Sequence, residues 1–347
     1  MERIPGVAIL ENIPEITAKE VYDIILDAEK FYVLDAALEL GLFEKLKHPT
    51  SPHGLATIIG TDPKLTKKMC DVLVAMGLLK KRGELYENST LATLYLVEDS
   101  PYCQKNLLKL ERSMIKDRWT RFIEALRHGP IKVEAKRDEA FTREFGLAMA
   151  EGALRGELQR TIKILSQLED IRRARKFLDL GGGHGLYAIA MAKIFPRLHV
   201  YILDLPHVID SVTRDFVNRF GDGERVHLIP ADFTKDEIGS GYDVVFASHS
   251  LYGKSDQLLN VLKKICESLN GGGIFVSKHW YLNEGREGPL RALLWELHLA
   301  SFWYRDFDLF TLREFMSYLN KAGFVIEGVE DVSGVDNPSK LVIARRV

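Results

Sequence analysis

Phe177-Leu178-Asp179-Leu180-Gly181-Gly182-Gly183-His184-Gly185 reads as a buried strand that breaks into a glycine turn and opens a helix from Leu186 to Phe195. Glycine at such a turn lets the backbone approach a ligand closely, because no Cβ stands in the way. A second apolar strand, Leu198 to Leu203, ends in Asp204 about one βαβ unit downstream. An acid at that strand end can accept hydrogen bonds from both ribose hydroxyls of a nucleoside. The pair of features calls for an adenosine-containing cofactor.

Glycine spacing narrows which one. A nicotinamide or flavin fingerprint, G-x-G-x-x-G from Gly181, would need glycine where Leu186 stands. No G-K-[ST] follows, which excludes a phosphate-gripping P-loop. The pattern present is acid-x-G-x-G-x-G, formed by Asp179, Gly181, Gly183 and Gly185. It resembles the first motif of the class I S-adenosylmethionine-dependent methyltransferases.

Length and composition set the frame. A chain of 347 residues has room for two domains and a large core. A net charge of −2 with 28% charged residues leaves no electrostatic footprint for nucleic acid. No apolar run reaches membrane-spanning length, the N-terminus lacks a signal-peptide layout, and a cytoplasmic protein is expected. Cys70, Cys103 and Cys266 form neither a disulfide framework nor a metal-ligand set, so no metal is expected.

Along the chain, Val21, Ile24, Ile25, Ala28, Phe31, Leu34 and Leu38 give helical periodicity over 18–46. Gly41 and Pro49 punctuate it. Short helices are predicted over 55–59 and 64–76, then a hairpin over 78–86 with Gly83 at its turn. That is the outline of a winged helix. Lys64, Lys67, Lys68 and Lys80-Lys81-Arg82 are the residues that would touch phosphates in a DNA-binding regulator, the different-class alternative. Helical patterns return over 107–126 and 141–168, separated by Gly129-Pro130. From Lys176 strands and helices alternate, ending in strands near 325–329 and 341–344. A parallel, doubly wound sheet with a small antiparallel edge follows. Three segments result: 1–105 for dimerisation, 106–170 as a helical cap, and 171–347 for the cofactor.

Beyond the glycine loop, Leu203-Asp-Leu-Pro-His-Val208, Pro230-Ala-Asp-Phe233, Asp243-Val-Val-Phe246 and Ala322-Gly-Phe324 resemble the plant-type O-methyltransferases, among them the caffeate and acetylserotonin enzymes. The resemblance implies a class I Rossmann-like α/β domain behind an N-terminal helical, winged-helix dimerisation domain, a homodimer, and S-adenosylmethionine as donor to a planar small molecule. It further implies that the Gly181 loop faces the cofactor's carboxylate end, Asp204 holds the ribose, and Asp232 and Phe233 flank the adenine. Phe145 and Met149, four apart on one helix, are similar to the pair that packs near the transferred methyl.

Departures from the pattern fall on the acceptor side. The family places a histidine base in Leu-His-Asp-Trp; the same register here reads Leu251-Tyr252-Gly253-Lys254. Ser248 stands for a basic residue near the cofactor, and Leu309 for the acid that orients the histidine. Glu296 can meet a second acidic position with a one-residue shift. Histidine titrates near neutrality, whereas an ordinary tyrosine stays protonated and suits hydrogen-bond donation. Three readings stand open. His249 is the base; or the acceptor is an amine, an acidic hydroxyl or a ring carbon that needs none; or the chain is similar to the lineage that methylates a bacteriochlorophyll ring carbon, with His298 as metal ligand. Trp280, Tyr281, Trp303 and Tyr304 are expected at the pocket mouth, where aromatic faces suit a flat or cationic substrate.

Overall fold

The computed structural model describes residues 16–131, 141–221, 223–303, 307–334 and 337–347. The chain divides into two compact units, with the boundary between Cys103 and Gln104.

In the first unit the helix Lys19–Glu39 ends where Gly41 takes a left-handed φ of 61°. Pro52–Ile59 and Pro63–Ala75 each open with proline behind a capping side chain, Ser51 and Asp62. Strands β1 (Leu79–Arg82) and β2 (Leu85–Asn88) then form a hairpin. Leu42, Phe43, Leu55, Leu73 and Tyr86 make its core. Asp71 gathers Lys67 and Lys81 at 2.9 Å each, and Arg82 pairs with Glu87. The basic residues that would have marked a phosphate-binding face are in part spent on carboxylates within the unit.

The second unit carries one seven-stranded sheet. In chain order the strands are β3 (Lys176–Leu180), β4 (His199–Asp204), β5 (Val226–Pro230), β6 (Tyr242–Ser248), β7 (Leu269–Trp280), β8 (Phe324–Asp331) and β9 (Ser339–Arg346). In space they run β5-β4-β3-β6-β7-β9-β8. The first five are parallel and β9 is antiparallel to both neighbours. Phe177, Leu178 and Leu180 are fully buried because helices cover both faces of a parallel sheet. Leu186–Ile194 packs Leu186, Ile189 and Met191 on one face, and Asp256–Ser268 packs Leu258, Leu262 and Ile265 on the other.

Strand order reverses at β3. The chain steps from β3 outward to β5, then returns to β6 on the other side. The loops after β3 and β6 therefore leave the sheet side by side and open a crevice, the usual ligand site of such sheets.

The helices of 105–173 belong to this second unit. They are interrupted by one-turn π-helices at Met114–Arg118 and Ala153–Glu157, the latter kinked at Gly156 with φ 118°. Such turns are often found at functional sites.

Candidate functional site

The loop after β3 is pinned from several sides. Gly181 and Gly183 take φ of 69° and 53°, a region L side chains rarely adopt. Asp204 at the end of β4 accepts from the Gly183 amide and from the Leu205 amide, both at 2.7 Å. The Thr213 hydroxyl donates to the Gly183 carbonyl at 2.5 Å. A Cβ on Gly181 would stand 2.6 Å from Ser250, and one on Gly182 2.7 Å from Ile202. A Cβ on Gly183 would meet nothing within 4 Å. Close packing within the protein thus explains Gly181 and Gly182, while Gly183 faces open space.

Asp179 lies beneath the loop, 1% exposed, and neither of its oxygens has a hydrogen-bond partner among the described residues. Burial, then the charge of Asp204, pushes its carboxyl up to about 7, offset in part by the nearby Ala188 amide. An orphaned acid beside an open glycine turn fits a ligand with a cationic amine and ribose hydroxyls.

His184 in the same loop is buried, and its Nδ1 accepts from the Leu186 amide at 3.1 Å. Burial holds its pKa down to about 4. The folded state therefore binds fewer protons than the unfolded chain between roughly pH 6.5 and 4, and stability falls as pH drops through that window. His184→Gln should flatten the acid limb of a stability–pH curve by up to about 1.4 kcal/mol per pH unit. Asp179 acts in the opposite sense, so urea melts of variant and parent at each pH give the check. Parallel curves would remove the assignment.

Ser248 ends β6, beside the Tyr187 hydroxyl. His249 follows with φ 54°, a strained conformation for a side-chain-bearing residue. Ser250 touches the Gly181 turn and donates to Leu180 O at 2.9 Å. Leu251 is buried, and the Tyr252 hydroxyl meets His249 Nδ1 at 2.5 Å. One short loop thus runs from the glycine cradle to Tyr252. Burial lowers His249 to about 4 and raises Tyr252.

Behind His249 is a buried polar network. Its Nε2 lies 3.0 Å from Lys278 Nζ, and 3.2 Å from both Glu157 Oε1 and Ser339 Oγ. Lys278 and Glu157 are in direct ionic contact. Asn337 donates to Glu157 and accepts from Trp280 Nε1 at 2.6 Å.

The remaining residues scatter in role. Phe233 lines the Gly181 turn, 3.4 Å from where a Cβ would sit. The Asp232 carboxylate accepts from Thr234 at 2.6 Å and pairs with Lys235. Phe145 is half-buried and packs on Phe141, while Met149 is exposed, so neither is spent in the core. Glu296 binds the Arg286 guanidinium at 2.7 and 2.8 Å and accepts from the Leu309 amide, which makes it a loop latch.

His298 Nε2 faces Arg118 Nη1 at 2.9 Å, and its Nδ1 is buried without a hydrogen-bond partner among the described residues. Burial and the adjoining arginines lower its pKa to about 4. Among the described residues no group of three or more His, Cys, Asp or Glu could hold a metal ion. Trp303 lies under the Arg118 guanidinium at 4.6 Å. Tyr281, just past β7, is buried against Phe315 in the core, so it does not stand at a pocket mouth. His279 is a core residue bonded to Ser277 and the Leu251 amide. Tyr304 lies outside the described residues.

A cavity of about 270 Å³ lies among Glu111, Met114, Trp119, Arg291, Trp295 and His298. Trp295 packs edge-on against Trp280, which packs edge-on against His249.

Sequence reasoning missed Thr213, Glu157 and Asn337. Lys278 was visible as a charge inside the apolar run Ile274-Phe-Val-Ser-Lys278.

Comparison with known proteins fits this geometry. Residues 116–325 match the model of an O-methyltransferase domain, and residues 23–98 that of an O-methyltransferase dimerisation domain. An uncharacterised protein of Methanocaldococcus jannaschii is 30% identical, covering 94% of this chain and 90% of its own. Acetylserotonin O-methyltransferase of Bos taurus is 29% identical over 77% of this chain and 81% of its own. The crystal structure of human N-acetylserotonin methyltransferase in complex with SAM superposes with a TM-score of 0.78 at 23% identity, covering 96% of this chain and 99% of that one. Among the described residues no helix is long and apolar enough to cross a membrane.

Proposed function

This chain belongs to the O-methyltransferase family, and from that premise we propose that it transfers a methyl group from S-adenosylmethionine to an aromatic small molecule held between the glycine loop and Tyr252. The observation that carries the reading is the glycine turn with its two acids. Gly183 faces open space, Asp204 pins the turn, and buried Asp179 lacks a partner among the described residues. The matched dimerisation domain supports a homodimer.

When bound, the cofactor supplies an electrophilic methyl on a sulfonium. The chain's task is to hold and align. Asp204 would receive the ribose hydroxyls and Asp179 the cationic amine. Phe233 and Asp232 would border the adenine, with Ser248 beside the loop. Phe145 and Met149 would border the acceptor face, and the Trp295 cavity its outer part.

Tyr252 is the acceptor-side group. Burial keeps its hydroxyl protonated, which makes it a donor. His249, lowered to about 4, is a weak base. An acceptor that needs no base before attack suits such a site: an acidified hydroxyl, an amine or an electron-rich ring carbon.

Incubation with S-adenosylmethionine and a panel of hydroxy- and aminoaromatic acids, read by mass spectrometry, should show a methylated product. Tyr252→Phe should lower its kcat about 10- to 100-fold, the loss of one hydrogen bond to a charged or developing group, with S-adenosylhomocysteine affinity retained. Full activity in that variant would remove Tyr252 from the reaction. Absence of S-adenosylhomocysteine binding by calorimetry would remove the reading itself.

A further inference from the structure

Two buried charges have no task in the reaction as described. Lys278 is fully enclosed near the end of β7, and Glu157 closes the Ala153–Glu157 π turn. Their charged groups touch. A buried ion pair is weak evidence for stability, because desolvation offsets the attraction. What surrounds this pair assigns it another role.

An ammonium has three donors and no lone pair. Lys278 Nζ faces three partners: Glu157 Oε1, His249 Nε2 at 3.0 Å, and the Tyr187 ring face at 5.6 Å. Burial pulls the Lys278 pKa down, and the carboxylate in contact with Nζ opposes it. With the charge kept, His249 Nε2 must supply the lone pair, so the ring proton sits on Nδ1.

The other neighbours of Nε2 are satisfied without a proton from it. Ser339 Oγ gives its hydrogen to Asn337 Oδ1 at 2.5 Å, and Glu157 accepts from Lys278 and Asn337. Nδ1–H then points along the 2.5 Å contact to Tyr252 Oη. The phenol oxygen accepts there, and its own hydrogen is left for another acceptor.

We propose that Lys278 and Glu157 are positioning residues that lock His249 as its Nδ1–H tautomer, so that Tyr252 gives its hydroxyl hydrogen to the methyl acceptor and takes none from it. The proposal rests on the methyl-transfer reading. It selects one substrate class from those above: acceptors whose reacting oxygen is already ionised on arrival and so keeps lone pairs for the sulfonium methyl after accepting from Tyr252. Among hydroxylated rings these are the ones acidified by a conjugated withdrawing group. A neutral, unactivated phenol would have to surrender its proton to a hydroxyl that has no onward acceptor, because His249 Nδ1 already holds one.

The test is nitrogen NMR of the full-length protein with 15N-labelled histidine, saturated with S-adenosylhomocysteine. His249 is assigned by its loss in His249→Gln. Long-range correlations should show a protonated Nδ1 and an unprotonated Nε2, and Tyr252→Phe should leave that pattern in place. Removing the pair together, as Lys278→Met/Glu157→Leu, should move the proton toward Nε2, with Nδ1 then accepting from Tyr252. In that double variant kcat should fall about tenfold or more while S-adenosylhomocysteine affinity stays within twofold.

An Nε2–H tautomer or an imidazolium in the parent protein would overturn the proposal. So would a double variant that keeps the parent's tautomer. Loss of S-adenosylhomocysteine binding in the parent would instead count against the methyl-transfer reading, since the tautomer is measured independently of turnover.

Discussion

Asp204→Ala should weaken S-adenosylhomocysteine binding by roughly two to three orders of magnitude, from the ~1.5–3 kcal/mol attached to each hydrogen bond made by a charged group. The carboxylate acts twice. Within the protein it holds the Gly183 and Leu205 amides at 2.7 Å each, setting the left-handed turn before any ligand arrives. Toward the ligand the same carboxylate would receive the ribose hydroxyls. Truncation removes both the contact and the preorganisation. Asp204→Asn keeps the shape and one acceptor oxygen, and should lose about tenfold, near 1.4 kcal/mol. Calorimetric titration of the three proteins, each shown folded by its thermal melt, checks the order. Equal affinities would place the cofactor elsewhere.

The largest stability effect is expected at Glu157. Glu157→Leu strands the Lys278 ammonium in a fully buried position. Removing one partner of a buried ion pair typically costs about 3–5 kcal/mol. Deprotonation of Lys278 limits the loss, since each unit of pKa depression is about 1.36 kcal/mol. Lys278→Met on the same background removes the stranded charge and should recover most of the loss. Urea unfolding of the parent, both single variants and the double variant closes the cycle. A double variant no more stable than Glu157→Leu alone would show that the two groups are not energetically a pair. The cycle also identifies a folded protein in which the tautomer can be read.

Much of the proposed cofactor half is written in short stretches of the chain. Asp179 to Gly185 is a contiguous segment, and its glycines answer to local demands of backbone φ and packing. Asp204 is legible because a parallel strand and its crossover helix have a nearly fixed length. The strands read at 177–180, 198–203, 325–329 and 341–344 lie close to β3, β4, β8 and β9, while β7 extends through Asn270-Gly-Gly-Gly273. Gly183 alone follows the simple reading of a glycine facing a ligand; Gly181 and Gly182 are glycine because Ser250 and Ile202 leave no room.

The acceptor half was less legible. Glu296 and His298 read in the sequence as an acid and an imidazole near the expected positions. Arg286 and the Leu309 amide bind the first, and Arg118 faces Nε2 of the second, which lines the Trp295 cavity. Titratable residues advertise chemistry in a sequence, but their availability depends on which neighbour reaches them first.

By itself the sequence determined the fold class and the donor, because strand, turn and strand-end acid are encoded within some thirty residues (Lys176 to Asp204) by spacing and sterics. Only the tertiary structure decided what stands behind Tyr252. Glu157, His249, Lys278, Asn337 and Ser339 meet across separations of 92 residues between Glu157 and His249 and 180 between Glu157 and Asn337. No local pattern links positions so far apart. Their protonation is settled by burial and contact, which exist only once the sheet and the π turn have brought them together.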